Sequence, residues 1–489
     1  MTIKNFGKII LIVGLVGISI SILPEILGIG KPGFKASQLL IIQLGVLFSV
    51  TALGFLASPG RESQLGDSLR EKMDETINLP VYVWVLTGFI FTFICFFVLP
   101  VFFNQDAKIV YFFRYIPDRV PIGVDFRVVL DSVRSWMNGK EVPAILYPPL
   151  ENFFFAPFLL LAYPHNYYLI SILTLISFFI LTFVIPRNVI SQTEHPIIPL
   201  IFAATIISYG FQFELERGQF HTIALTLSIL AIYLFHYHDH YKLLAYLLLS
   251  LSIQLKIFPV IFIFLLIKDW KDWKNNIKRV LGFGLFNFAL LFLLGPNYFI
   301  AFVKDTLHNM NTPETWIGNH SIKAFTTNLA KNGFGIFPDS ILQVIRQNTS
   351  SIELILFSIY ILCLGLILFQ AYRQNKPGLN TALLLVCTLG CLMLPAINHD
   401  YTLGYLAGPV AISLGSIQIT GQRWKKVISI FLVFIATCSY SIMLYPFKYR
   451  PAVLGSSFPM LLVLLVSFTL LAFVASSSSQ PKAPIDSEA

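Results

Sequence analysis

Charge is scarce in this chain. Asp, Glu, Lys and Arg make up 12% of its 489 residues against 56% hydrophobic residues, and the mean hydropathy is +0.74. That balance excludes a string of soluble domains, which this length would otherwise allow. Cysteine is scarce as well. The five, Cys95, Cys363, Cys387, Cys391 and Cys438, all fall inside apolar runs, where a thiol behaves as a small hydrophobe, so no disulfide framework is implied. Cys387 and Cys391 stand one helical turn apart, but no histidine or third thiol accompanies them. Period-two alternation is missing, which excludes a membrane β-barrel. No stretch joins dense basic residues to exposed aromatics, so the net charge of +9 fits loops beside anionic lipid rather than nucleic acid.

What is abundant is apolar sequence in runs of about 20 residues, the length a helix needs to cross a hydrocarbon core of ~30 Å. The chain reads as an all-α polytopic membrane protein with about 13–14 transmembrane helices. The candidate spans are 9–29, 38–58, 80–103, 167–187, 196–214, 218–236, 241–256, a short 258–267, 279–301, 351–372, 380–397, 401–417, 425–445 and 453–475. The first follows only Lys4 and Lys8 and has no small-residue cleavage site, so it reads as a retained anchor. The run 150–163 is too short to span and carries Pro157, which predicts a surface or re-entrant helix. The organisation expected is N-terminal helices over 1–103, an outer catalytic loop with that surface helix over 104–166, a transmembrane core over 167–301, a second outer loop over 302–350, C-terminal helices over 351–475, and a disordered tail over 476–489. The linker 59–78 mixes both signs of charge and reads as solvated cytoplasmic sequence.

Orientation follows from the basic residues. With a cytoplasmic N-terminus, eighteen of the 34 Lys and Arg residues fall inside, and ten of the remaining sixteen lie in the two long outer loops, which the positive-inside rule discounts in part. Both termini are then cytoplasmic. The group Lys268, Lys271, Lys274, Lys278 and Arg279, with Arg423, Lys425 and Lys426, marks the inner face. Five polar breaks come out together on the outer face: Asp125, Arg217 to His221, Lys256 to Pro259, Asn319 to Ser321, and Asn398 to Asp400. An active site at a membrane surface needs such a grouping, whereas a transport path places polar groups near the midplane.

Asp125 leads into an amphipathic stretch holding Val128, Val129, Val133 and Trp136 near helical spacing. It reads either as the N-cap of that helix or as a general base that takes a proton from an acceptor hydroxyl. The run Glu214, Leu215, Glu216, Arg217, Gly218, Gln219, Phe220, His221 is either an interhelical turn or a set of side chains for sugar hydroxyls or a phosphate. Lys256, three residues before Pro259, either snorkels to the outer headgroups or sits against a lipid-linked phosphate. Tyr147, Asn319, His320, Ser321, Asn398, His399 and Asp400 are further candidates for substrate contact. No cofactor is expected; His320, His399 and Asp400 are residue types that bind a divalent ion, although their spacing does not resemble a zinc motif. Asn319 and Asn348 begin formal glycosylation sequons, meaningful only in a eukaryotic secretory setting.

Taken in order, these features resemble the membrane glycosyltransferases of the GT-C fold, and within them glycosyltransferase family 87, the polyprenyl-phosphate-mannose-dependent α-mannosyltransferases. The resemblance runs from Asp125 to Ile412. It is carried by Asp125 and Phe126, Tyr147 to Leu150 followed by Ala156 and Pro157, Gly218 and Gln219, Lys256 with Pro259, Gly318, Asn319 and Ser321, and Pro395 ahead of a polar break. It implies that Asp125 is the base of an inverting transfer of a hexose from a lipid-phosphate donor to a glycolipid or glycan hydroxyl. Lys256 and Arg217 would lie near the donor phosphate, in a multi-pass protein of a bacterial plasma membrane. The chain departs from the family at His221, at His320 and over Asn398 to Asp400, which bears on the sugar rather than the fold. The alternative functional classes are a transporter or flippase of lipid-linked sugars, which should show paired half-helices at the midplane, and a non-catalytic assembly or polymer-ligase partner.

Overall fold

The computed structural model describes residues 3–26, 76–98, 122–139, 147–335, 337–444 and 455–476. The expected span 38–58, the linker up to residue 75, the loop stretches 104–121 and 140–146, and the tail from 477 lie outside the described residues. What is described is helical, with no named strand and one isolated β-bridge, Asn319 to His399.

In chain order the helices are α1 (Ile3–Ile26), α2 (Val81–Phe93), α3 (Val124–Met137), α4 (Glu151–Phe155), α5 (His165–Phe179), α6 (Ile197–Ile206), α7 (Tyr209–Arg217), α8 (His221–Tyr237) and α9 (Lys242–Leu255). Then follow α10 (Trp273–Leu290), α11 (Pro296–Asn311), α12 (Ile322–Asn332), α13 (Asp339–Gln347), α14 (Thr349–Gln374), α15 (Thr381–Met393), α16 (Ala407–Gly415), α17 (Arg423–Leu444) and α18 (Phe458–Ser476). Among the described residues three helical stretches are individually long and apolar enough to cross a membrane: His165–Val189, α14 and α17. A fourth is α6 with α7, bent by 51° at their junction, and α2, α8, α15 and most of α18 are shorter apolar helices.

Several expected spans are interrupted. The run 279–301 is not one helix: α10 stops at Leu290, a turn follows, and Gly295 at φ 103 with Pro296 starts α11 afresh. The segment 258–267 is a 3₁₀ helix, Phe258–Leu265, entered through Pro259, and 401–417 divides into a 3₁₀ helix, Asp400–Leu406, and α16. The stretch 302–350, expected as a loop, is mostly helical, made of the end of α11 with α12 and α13. The run 150–163 forms α4 and a 3₁₀ turn, Ala156–Leu160, and is too short to span.

Burial follows from sequence pattern. In α15 every residue from Leu383 to Met393 is buried, as a helix apolar on all sides must be in the centre of a bundle. By contrast α14 buries Tyr360, Cys363, Leu364, Ile367 and Ala371, one stripe at helical spacing, and leaves Leu354, Phe357, Leu362 and Phe369 exposed for lipid. Between α8 and α9 small residues allow close approach: Ser252 donates to the Ala224 carbonyl at 2.6 Å and shares a 2.7 Å hydrogen bond with Ser228.

These two antiparallel helices also fix the two ends of the bundle. Helix α8 leaves the polar break at His221 and runs 17 residues, about 25 Å at ~1.5 Å per residue. At its far end Asp239 pairs with Lys242 at 3.0 Å and Lys268 at 2.5 Å, and these two cations hold the exposed Asp239 carboxyl down at about 2. Helix α9 then returns to Lys256.

Candidate active site

Two glycines bring the first polar break to the second. Gly123, at φ 78, precedes α3, and Gly218, at φ 68, ends α7. A Cβ on Gly218 would lie 2.9 Å from the Phe126 Cβ and 3.2 Å from the Gly123 Cα, so both positive φ and close approach demand glycine there. The Gly123 amide donates to the Glu216 carbonyl at 2.8 Å, pinning the start of α3 to the end of α7. Phe126, Val129, Leu130 and Val133 form the buried face of α3, while Val128, expected on that face, is exposed.

This junction removes the cap reading of Asp125. Gly123 occupies the cap position, no side chain caps the helix, and Asp125 lies one residue inside the first turn. Its carboxylate accepts instead from Arg217 Nη1 at 3.1 Å, through Oδ1, and from Gln219 Nε2 at 2.8 Å, through Oδ2. Arg217, expected at a donor phosphate, is therefore the ion-pair partner of Asp125, and its Nε lies 3.7 Å from Glu216.

The same Gln219 side chain turns its oxygen to Lys256, whose Nζ donates at 3.5 Å. Lys256 does not snorkel. It is wholly buried in an extended conformation after α9, with its ammonium 3.6 Å from the Tyr147 ring centroid and 4.1 Å from that of Phe220. Two aromatic faces stabilise a cation yet use none of its three hydrogens. Glu151, Glu214 and Asp125 act on it electrostatically, but among the described residues none forms an ion pair with it. Glu214 is engaged elsewhere: its side-chain oxygens accept from the Thr222 amide at 2.6 Å and the Thr222 hydroxyl at 2.5 Å, at the start of α8.

Glu151 and Tyr405 were not singled out by sequence. Glu151 is the lone acid in the run 150–163, and it is 5% exposed. Burial pushes its carboxyl well above the usual range, against the opposing pull of Lys256. Burial and the nearby Glu151 raise the Tyr147 hydroxyl as well. Tyr405 lies in the 3₁₀ helix Asp400–Leu406, its ring 5.9 Å from that of His221. His221 is buried between Phe220, Tyr401 and Phe258.

The other five buried candidates form a separate knot. The Asn319 side chain donates to the carbonyls of Glu314 and Ala396 and accepts from the amides of Ser321 and Asn398. Ser321 caps α12 and donates to Ala396, while Asn398 donates to the last carbonyls of α15 and accepts from Thr402. His320 contacts Asp400 through Nδ1 at 3.3 Å and Thr402 through Nε2 at 3.2 Å, and Ser457 donates to Asp400 at 3.2 Å. These groups tie the approach to α12 onto the exit of α15 rather than standing free for a ligand. His399 points the other way, with Nε2 3.2 Å from Glu314 and its ring against Trp316 and Tyr401; burial lowers its imidazole despite that carboxylate. The His320, His399 and Asp400 trio is thus divided, and among the described residues no group of three His, Cys, Asp or Glu is arranged to hold a metal ion. Tyr401 joins the knot to the Lys256 cage through its contact with His221 at 5.0 Å.

An apolar helical bundle with one buried cation and one carboxylate joined at its polar end defines an integral membrane protein with a site at that end. Residues 145–395, just over half of the chain, match the family model for glycosyltransferase family 87, and the chain belongs to that family: it is a membrane glycosyltransferase that carries a sugar from a donor to an acceptor. The match takes in Tyr147, Glu151, Arg217, Gln219, Lys256 and Asn319 to Ser321, and leaves Asp125 before its start and Asn398 to Asp400 after its end. No curated protein and no solved structure matches the chain.

Proposed function

We propose that the protein transfers a hexose, mannose, from a polyprenyl-phosphate donor to a hydroxyl of a glycolipid or glycan at the outer face of a bacterial plasma membrane, with inversion. The observation that carries this reading is the Gln219 bridge, whose amide donates to Asp125 and whose oxygen faces Lys256. It sets a proton acceptor and a cation with free hydrogens side by side at one site, the two groups such a transfer needs.

Asp125 takes the proton of the acceptor hydroxyl as that oxygen bonds to the anomeric carbon. The bond from that carbon to the phosphate oxygen breaks, and its electron pair leaves with polyprenyl phosphate. Lys256 faces the charge that grows on this leaving group, in a setting with little water to screen it. Arg217 and Gln219 hold the Asp125 carboxylate in place, so Arg217 acts on the base rather than the phosphate. A donor tethered by its own lipid suits a face of the membrane where nucleotide sugars are not supplied, and holding both substrates at one surface supplies orientation.

The test is a membrane assay with polyprenyl-phosphate-mannose and a panel of glycolipid and glycan acceptors. Asp125→Asn keeps the shape of the side chain and removes its basicity, and transfer is expected to fall by about 10²- to 10⁴-fold. Undiminished transfer by this variant removes Asp125 from the mechanism.

A further inference from the structure

A buried polar atom without a partner is costly, and native structures keep few of them unless a ligand or water meets the need. Three such atoms stand around Lys256. The Glu151 Oε1, the His221 Nδ1 and the Tyr405 hydroxyl each lack a hydrogen-bond partner, and their residues are 5%, 4% and 1% exposed.

Their placement is common although they come from three parts of the chain. Glu151 follows Tyr147 by four residues, and its carboxyl acts electrostatically on both Tyr147 and Lys256. His221 adjoins Phe220, the second aromatic face of the Lys256 cage, and its ring reaches Tyr405 at 5.9 Å. Tyr405 is within electrostatic reach of Tyr147 and Glu214 in turn. The asparagine and serine knot nearby is the contrast, since its side-chain donors and acceptors are met inside the protein.

We infer that Glu151, His221 and Tyr405 bind the hydroxyls of the sugar attached to the donor phosphate and so set which donor is accepted. The inference rests on the donor reading above, which places that phosphate at Lys256. A sugar bonded to a phosphate there extends its ring hydroxyls away from the ammonium into the surroundings that Glu151 and His221 share with it and that Tyr405 reaches through His221. Each residue type suits that role, since a carboxyl, an imidazole nitrogen and a phenol all exchange hydrogen bonds with hydroxyl groups. Sites built this way reject sugars whose hydroxyls point elsewhere, because the wrong epimer leaves buried groups unpaired.

The experiment compares the affinity of the purified full-length protein for polyprenyl-phosphate-mannose and for sugar-free polyprenyl phosphate, in the wild type, Glu151→Gln and Tyr405→Phe. In variants whose unfolding midpoint matches the wild type, affinity for the mannosylated donor is expected to fall roughly tenfold or more. Affinity for sugar-free polyprenyl phosphate should stay within about twofold, since neither substitution removes the Tyr147 and Phe220 rings or the Gln219 hydrogen bond that hold Lys256. Equal loss for both ligands, or loss for neither, overturns the inference. A wild type that binds neither ligand overturns the donor reading itself, a result distinct from either.

Discussion

The Lys256 cage and the Asn319–Asp400 knot adjoin one another and are both buried at their centres, yet they differ in what remains unsatisfied. In the knot Asn319, Ser321, His320 and Asn398 find their partners within the protein, mostly on the backbone. In the cage a lysine rests on two aromatic rings with one long hydrogen bond, and three neighbouring polar atoms have none. The first arrangement is what stabilises a chain crossing; the second leaves hydrogen-bonding capacity unmet. Unmet hydrogen-bonding capacity is therefore the property in which these two neighbouring regions differ.

The largest effect that separates the two regions is expected at Lys256. Lys256→Met keeps the length and apolar stem and removes the charge, and kcat/KM for transfer is expected to fall by about 10²- to 10³-fold. Lys256→Arg should recover little, because a planar guanidinium does not fit where a compact ammonium lies between Tyr147 and Phe220. Steady-state transfer by Lys256→Met at the wild-type rate would mean that the cage is structural.

Thr402 offers the matching test of the knot. Its hydroxyl meets His320 Nε2 at 3.2 Å and donates to Asn398 Oδ1 at 2.8 Å, and the residue is fully buried. Thr402→Val preserves shape and leaves those partners unpaired, which should cost about 1–3 kcal/mol of stability. Transfer per folded molecule should change little. A fall in kcat/KM without a fall in thermal midpoint would instead place the knot in the substrate's path.

Much of this contrast was legible in the sequence, for a physical reason: in a chain this apolar, a polar residue is conspicuous wherever it stands. Asp125, Arg217, Gln219, Lys256 and the two later breaks were all found that way, and the structure brings them to one end of the bundle. The pairing among them was not legible. Asp125 reads either as a helix cap or as a base, and only the fold shows Gly123 in the cap position and Gly218 packed against it. Lys256 near a helix end reads either as a snorkelling residue or as one set against a phosphate, and only tertiary packing shows the aromatic rings closed around it. Glu151 resembles an ordinary first-turn acid, and Tyr405 an ordinary core aromatic, because nothing local records that a partner is missing. Apolar runs likewise announce helices but not their breaks, so 279–301 looked continuous and 302–350 looked like a loop.

The smallest expected effect tests the cage without reference to its ligand. Burial holds the Glu151 carboxyl well above its ordinary value of 4.5, so over the range between the two the folded protein keeps a proton that the unfolded chain has released. Stability linked to this group is then present at low pH and declines as pH rises through that range. Lys256 opposes the shift and cannot reverse it, so the sign is set by burial. Glu151→Gln has no proton to lose, and its thermal midpoint should fall less steeply than that of the wild type as pH is raised from 5 to 8. The difference should amount to about a degree or two in a protein this large. A steeper decline in the variant would mean that Glu151 is ionised in the folded state and serves as the counter-ion of Lys256, in which case the cage is closed by charge and the two regions are more alike than their hydrogen bonds suggest.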